Sequence, residues 1–244
     1  EGITLLTGLS YENVRRDAGC VTLRVMQDGK PVQVTADHLV STAGRRANTD
    51  GLGVDKIGIE TDARGSIVIA DDMQTSVPGI YAAGDVTDRD QFVYMAAYGA
   101  KLAVKNAVLG DDQRYDNSAM PWVVFSDPQV AGVGLSEQQA RDAGFDVKTS
   151  VVPLDQVPRA LAARDTRGLI KLVADKDTDK LLGGQIIAPE GSDTIQTLVM
   201  ALKFGMTTKD LGATIFPYLT TVEGLKLAAQ TFDKDVAKLS CCAG

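Results

Sequence analysis

Two adjacent cysteines, Cys241 and Cys242, stand two residues from the end of the sequence. Thiolates are soft donors, suited to soft metal ions or to thiol exchange. The pair lies beyond the last stretch with helical apolar spacing. A terminal tail moves unless tied down, so such thiols could carry cargo between solvent and a buried site. Two incidental thiols on a frayed end would read the same way.

A second stretch with chemical content is Gly79-Ile80-Tyr81-Ala82-Ala83-Gly84-Asp85. It reads as a buried strand that delivers a carboxylate to its own C-terminal end, where open α/β sheets bind ligands. Small residues before the acid let a ligand lie close, and the carboxylate can accept hydrogen bonds from sugar or polyol hydroxyls. A helix predicted over Phe92 to Leu109 turns its free N–H groups, near Val93, toward the same place. That end favours an electron-rich ring that gains negative charge on reduction. A strand, turn and helix with a solvated aspartate would satisfy the same residues equally well.

The elements that must position these groups fall into three parts. The first holds a short apolar strand over 3–9 and an alternating strand over 20–26, with Val21, Leu23 and Val25 on one face. An Asp28-Gly29 hairpin turn leads to a strand over 32–35. A buried strand is then predicted over 38–42, running into Ala43-Gly44-Arg45-Arg46. The second part holds a strand over 66–70, the Gly79–Asp85 strand and the 92–109 helix. That helix is apolar nearly all round, hence predicted deeply buried, and stops at Gly110.

Asp111 to Pro121 reads as a polar linker. Beyond it, strands are predicted over 122–125, 129–133, 147–152, 169–174 and 181–187. Ser136-Glu137-Gln138-Gln139 is a capping box that opens a helix ending at Gly144. Two later helices carry Ile195, Leu198, Val199 and Leu202, then Leu219, Val222, Leu225 and Ala228. This last part is an α+β unit with its own core.

Composition narrows the function. Twenty-five Lys and Arg against 32 Asp and Glu leave a formal charge of -7, with no basic run. Neither nucleic acid nor an anionic membrane is an expected partner. No stretch approaches the roughly 18 apolar residues of a membrane span, and the first residues do not resemble a signal peptide. Three cysteines cannot build a disulfide framework, which points to a reducing cytoplasm. Cys20 lies on the far side of its strand from Val21, Leu23 and Val25 and reads as an incidental thiol. Histidine occurs once, as His38 at a strand start, and reads as a surface residue.

Three motifs occur in order. Thr75–Asp85 resembles the second flavin-binding motif of the pyridine nucleotide-disulfide oxidoreductases. Ser41-Thr42-Ala43-Gly44-Arg45-Arg46-Ala47-Asn48-Thr49 resembles the stretch that closes the nicotinamide domain in that family, with Ala47 where proline is usual. Asp127-Pro128-Gln129-Val130-Ala131-Gly132-Val133-Gly134 is similar to the start of its dimerisation domain. The resemblance implies α/β and α+β architecture. Residues 1–46 would end a nicotinamide domain, 47–116 would form the C-terminal part of a flavin-binding domain, and 117–244 would form a dimerisation domain. It implies that Asp85 binds the ribityl chain of FAD, that the backbone near Val93 faces the ring, and that Gly44 lies near the nicotinamide cofactor.

Disulfide-reducing members of the family carry a His-Pro-Thr-x-x-Glu motif whose histidine moves protons during thiol exchange. The matching stretch here is Phe216-Pro217-Tyr218-Leu219-Thr220-Thr221, with Phe216 for the histidine and Thr221 for the glutamate. A substrate that takes electrons and two thiolates, but needs no imidazole, fits a soft cation such as Hg(II). These replacements, the terminal cysteines and the stretch Gln230–Val236 resemble the mercuric reductases within that family. The resemblance implies FAD, NADPH and Hg(II) as cofactors and substrate, and a homodimer in which Cys241 and Cys242 bind the metal for the partner subunit's site. Tyr218 would stand beside the metal path, or serve only as interface packing.

The Gly-x-Gly-x-x-Gly loops and the redox-active cysteine pair of a complete enzyme do not occur in this sequence. The expectation is therefore the C-terminal half of such an enzyme, inactive by itself. Two other readings follow from the same residues. One is a disulfide reductase like the large thioredoxin reductases, which would keep the histidine motif. The other is a dimerisation and metal-binding module without turnover.

Overall fold

The structure, a computed structural model, describes residues 2–234. The chain divides into two compact units, the first ending at Arg114 and the second starting at Tyr115. The division falls inside the polar 111–121 stretch.

The first unit opens with an antiparallel three-stranded sheet: β1 (Leu9–Asp17), β2 (Cys20–Gln27) and β3 (Lys30–Ala36), in that spatial order. The β2–β3 turn has the expected form. Gln27 pairs with Lys30, and Asp28 and Gly29 take φ of 50° and 75°. Two successive positive φ values match the twist of a hairpin, and only residues that tolerate that region fit there. Val25 faces inward and is fully buried, as the alternation required.

Four expected strands change, among them the one over 66–70, which holds only isolated bridges at Ile67 and Ile69. Residues 3–7 have no regular structure, and β1 begins at Leu9, where the predicted strand ended. Residues 38–42 are not a buried strand: Leu39 is 48% exposed and Val40 80%. A buried central strand needs paired neighbours, and among the described residues none pairs with this segment. Gly79–Asp85 is likewise only partly buried. It joins a set of isolated bridges, Thr61 with Ile67, Ile69 with Thr75 and Gln74 with Tyr81, rather than a continuous ladder.

Helix α1 (Val93–Leu109) ends as expected at Gly110, whose N–H bonds the Asn106 carbonyl. It is not buried all round. Met95, Gly99, Leu102, Ala103 and Asn106 face the unit, whereas Val93, Val104, Val108 and Leu109 are exposed. Hydropathy counted the apolar residues, but the elements packed in this unit cover one face only. Asn106 is a polar residue placed for structure. Its side-chain amide donates to the carbonyls of Asp72 (2.9 Å) and Gln113 (2.8 Å), and its oxygen accepts from Gln113 N (2.8 Å).

The second unit is an antiparallel five-stranded sheet covered by helices. It comprises β4 (Pro121–Val124), β5 (Gln129–Gly134), α2 (Glu137–Asp142), β6 (Val147–Pro153), α3 (Pro158–Ala163), β7 (Leu169–Asp175), β8 (Leu181–Ala188), α4 (Gly191–Lys203), α5 (Thr208–Ala213) and α6 (Glu223–Gln230). The sheet order is β4-β5-β8-β7-β6. Helix α4 packs on β5 and β8, and α6 on β6 and β7. The core collects Val133, Ile170, Leu172, Ile186, Ile195, Leu198, Leu211 and Leu225. The expected capping box is present: Ser136 Oγ accepts Gln139 N, and Gln139 Oε1 accepts Ser136 N.

One helix boundary differs. Leu219 does not belong to α6. It sits in the turn before it, with φ of 64°. Thr220, which follows it, turns its hydroxyl to the carbonyl of Pro217 and so competes with helical backbone bonding.

Candidate functional site

Gly44, Asp85 and Val93 come from three segments, and one arginine gathers those segments. Arg45 Nη1 donates to Asp85 Oδ2 (3.2 Å) and to the Gln91 carbonyl (2.7 Å), two residues before α1 begins. Both side chains of the ion pair are more than half exposed, so the pair stays open to solvent and worth little in stability. Its consequence is placement, since it holds an accessible carboxylate beside the amino end of a 17-residue helix.

The backbone around the acid is shaped for close approach. Gly84 takes φ of 79° and ψ of −160°, a region that side chains other than hydrogen rarely occupy. A Cβ there would lie 3.0 Å from the Ala96 Cβ. Thr87 Oγ1 donates to the Gly84 carbonyl at 2.8 Å and closes the short 3-10 turn over Asp85–Thr87. No side chain caps the start of α1. Val93 is 85% exposed there, and the rings of Phe92 and Tyr94 stack 5.2 Å apart. A carboxylate acceptor and an uncapped helix start suit a ligand with hydroxyls at one end and an electron-rich ring at the other.

Gly44 itself takes φ of 96°, with its N–H on the Thr42 carbonyl at 3.0 Å. Residues 39–43 line an open cavity of ≈ 630 Å³ together with Tyr11, Asn13, Val14 and Leu23. Further arginines surround the turn. Arg64 pairs with Asp88, and Arg89 pairs with Asp71 at 3.0 Å.

Tyr218 belongs to the second unit and is 58% exposed. Phe216, at the position of the family's histidine, packs against the core of that unit. Thr221, at the position of the glutamate, is buried and donates from Oγ1 to Glu190 Oε2 at 2.8 Å. Arg159 lies 3.7 Å from the other oxygen of Glu190. Cys241 and Cys242 lie outside the described residues. Cys20 is exposed and free, and His38 is exposed. Among the described residues no group of three or more His, Cys, Asp or Glu could hold a metal ion. No described helix is long and apolar enough to cross a membrane.

Three contributors escaped sequence reading. Arg45 was visible inside its motif, but its partner lies 40 residues away. Glu190 precedes α4 and carries no motif of its own. Glu223 was legible in principle, because Thr220-Thr221-Val222-Glu223 has capping-box spacing.

The profile of the pyridine nucleotide-disulphide oxidoreductase family matches residues 1–103, and that of its dimerisation domain matches residues 120–229. The chain belongs to the pyridine nucleotide-disulphide oxidoreductases. Within the family it is similar to mercuric reductases from Bacillus cereus and Lysinibacillus sphaericus, 48% identical to each over 244 residues. It is also similar to one from Streptomyces lividans, at 45% identity. All of the chain aligns, but it spans only 39%, 45% and 52% of those relatives. Among solved structures it resembles LpdA from Mycobacterium tuberculosis, with a TM-score of 0.84, 26% identity, and coverage of 96% of this chain and 50% of that one. It also resembles the HOCl-induced flavoprotein disulfide reductase RclA from Escherichia coli, with a TM-score of 0.80, 28% identity, and coverage of 91% and 50%.

Proposed function

We propose that this chain is the C-terminal part of an NADPH-dependent flavoenzyme that reduces Hg(II) to Hg(0). Its parts would be the end of a nicotinamide domain (1–46), part of an FAD domain (47–116) and a dimerisation domain (117–244). The observation that carries the reading is the replacement of the acid-base pair. Phe216 packs against the core and Thr221 spends its hydroxyl on Glu190. Neither can move a proton for disulfide exchange, and the mercuric reductase relatives align over the entire chain.

FAD and NADPH, when bound, would supply the two electrons that Hg(II) takes. Asp85 would accept hydrogen bonds from flavin hydroxyls, with Arg45 holding the carboxylate in place. The amino end of α1 near Val93 would stabilise negative charge on the ring side, and Gly44 would leave room for the nicotinamide. Cys241 and Cys242 would form two Hg–S bonds as the carrier thiolates leave, then pass the ion to the partner subunit by the same exchange. Tyr218 would contact or screen the ion on its path. Free thiolates require a reducing setting, as in the cytoplasm.

The test uses the parent-length enzyme with Cys241→Ala and Cys242→Ala together. NADPH-dependent Hg(0) release should collapse when Hg(II) arrives on bulky thiol carriers. Unchanged release under every thiol buffer would overturn the reading. The 244-residue chain alone, given FAD, NADPH and Hg(II), should release no Hg(0).

A further inference from the structure

Glu223 is a buried carboxylate, 5% exposed, that none of the roles above employs. Its Oε2 accepts the N–H of Leu219 at 3.0 Å. Leu219 holds a left-handed backbone, φ 64°, which costs free energy for any residue with a Cβ. Thr220 ties the same turn from the other side. Its hydroxyl donates to the Pro217 carbonyl at 2.8 Å and accepts Glu223 N at 3.3 Å. In a capping box the acid would return to the amide of Thr220. Here it reaches one residue further, to the peptide that joins Tyr218 to Leu219.

Such a bond offsets the strain. A carboxylate accepting a backbone N–H is stronger than a neutral pair, and more so away from water. The residue on the other side of the clamped peptide is Tyr218, whose side chain is 58% exposed. The Thr221 hydroxyl on Glu190 fixes the next residue along. The turn is thus held at Leu219, Thr220 and Thr221, directly after the exposed Tyr218.

We propose that Glu223 is a positioning residue for Tyr218. By holding Leu219 in the left-handed conformation, it sets the direction in which the phenol leaves the loop. The consequence for Hg(II) rests on the function proposed above; the clamp itself does not.

Two measurements separate these. In the chain labelled with 3-fluorotyrosine, the 19F line of Tyr218 is assigned by its loss in Tyr218→Phe. Glu223→Ala should move or broaden that line. Glu223→Gln, which keeps an acceptor oxygen, should leave it in place, and Glu223→Ala with Leu219→Gly should restore it, because glycine needs no help to hold φ near 64°. A Tyr218 line indifferent to Glu223→Ala would overturn the proposal. If Glu223→Ala does not fold, the added Leu219→Gly should recover folding by circular dichroism, and failure to do so would equally overturn it. In the parent-length enzyme, Glu223→Ala should lower kcat with Hg(II) about tenfold, the scale of one mispositioned contact, with NADPH-driven flavin reduction unchanged and Glu223→Gln near wild type. A wild-type parent that does not reduce Hg(II) would remove the mercury reading and leave the 19F result to judge the clamp.

Discussion

Arg45 and Asp85 form an ion pair, Nη1 to Oδ2 at 3.2 Å, that joins the Ser41–Thr49 stretch to the Thr75–Asp85 stretch. The same guanidinium holds the Gln91 carbonyl just ahead of α1. Two motifs are therefore joined through residues that lie 40 positions apart in sequence.

Asp85→Ala in the parent-length enzyme should weaken FAD retention by roughly ten- to a hundredfold, the scale of hydrogen bonds to a charged acceptor. Arg45→Ala should weaken it less, since it loosens the carboxylate without deleting it. Gel filtration followed by flavin fluorescence measures both. Equal retention in Asp85→Ala and wild type would exclude the acid from the cofactor.

Gly84→Ala should destabilise the first unit by about 1–3 kcal/mol through its backbone conformation alone. The added methyl also meets Ala96 at 3.0 Å. Urea unfolding gives the number, and a change under a few tenths of a kcal/mol would contradict the geometry.

Tyr218→Phe should leave the melting temperature of the chain nearly unchanged, because the side chain is mostly exposed. In the parent enzyme it should lower Hg(II) turnover by about an order of magnitude through loss of one polar contact. A loss of stability without loss of turnover would make Tyr218 a packing residue.

Acid should weaken the second unit through Glu137. Its hydrogen bond to Lys171 (2.7 Å), then that to Arg141 (2.8 Å), draws the carboxyl down to about 2 from 4.5. A lowered folded-state value means stabilisation that is complete above pH 4.5 and lost as the pH falls toward 2. Asp165, held by Arg167, falls to about 2 from 3.8 and acts in the same direction. Glu137→Gln should flatten the melting temperature between those limits while changing little of its slope above pH 5. An identical acid profile in wild type and variant would exclude the triad.

The sequence alone determined what local chemistry determines. The Asp28-Gly29 turn, the capping box at Ser136, the stop at Gly110 and the inward face of β2 at Val25 depend on residues a few positions apart, so spacing is enough to read them. The nature of the substituted loop was equally legible, because Phe216 and Thr221 simply cannot do what histidine and glutamate do. Burial of α1, the fate of 38–42 and the partner of Asp85 were decided by tertiary structure. A helix apolar on every side is covered only where something packs on it, and a strand-forming run becomes a strand only where another strand offers hydrogen bonds. Arg45 reaches Asp85, and Thr221 reaches Glu190, through contacts between distant segments that no local pattern encodes.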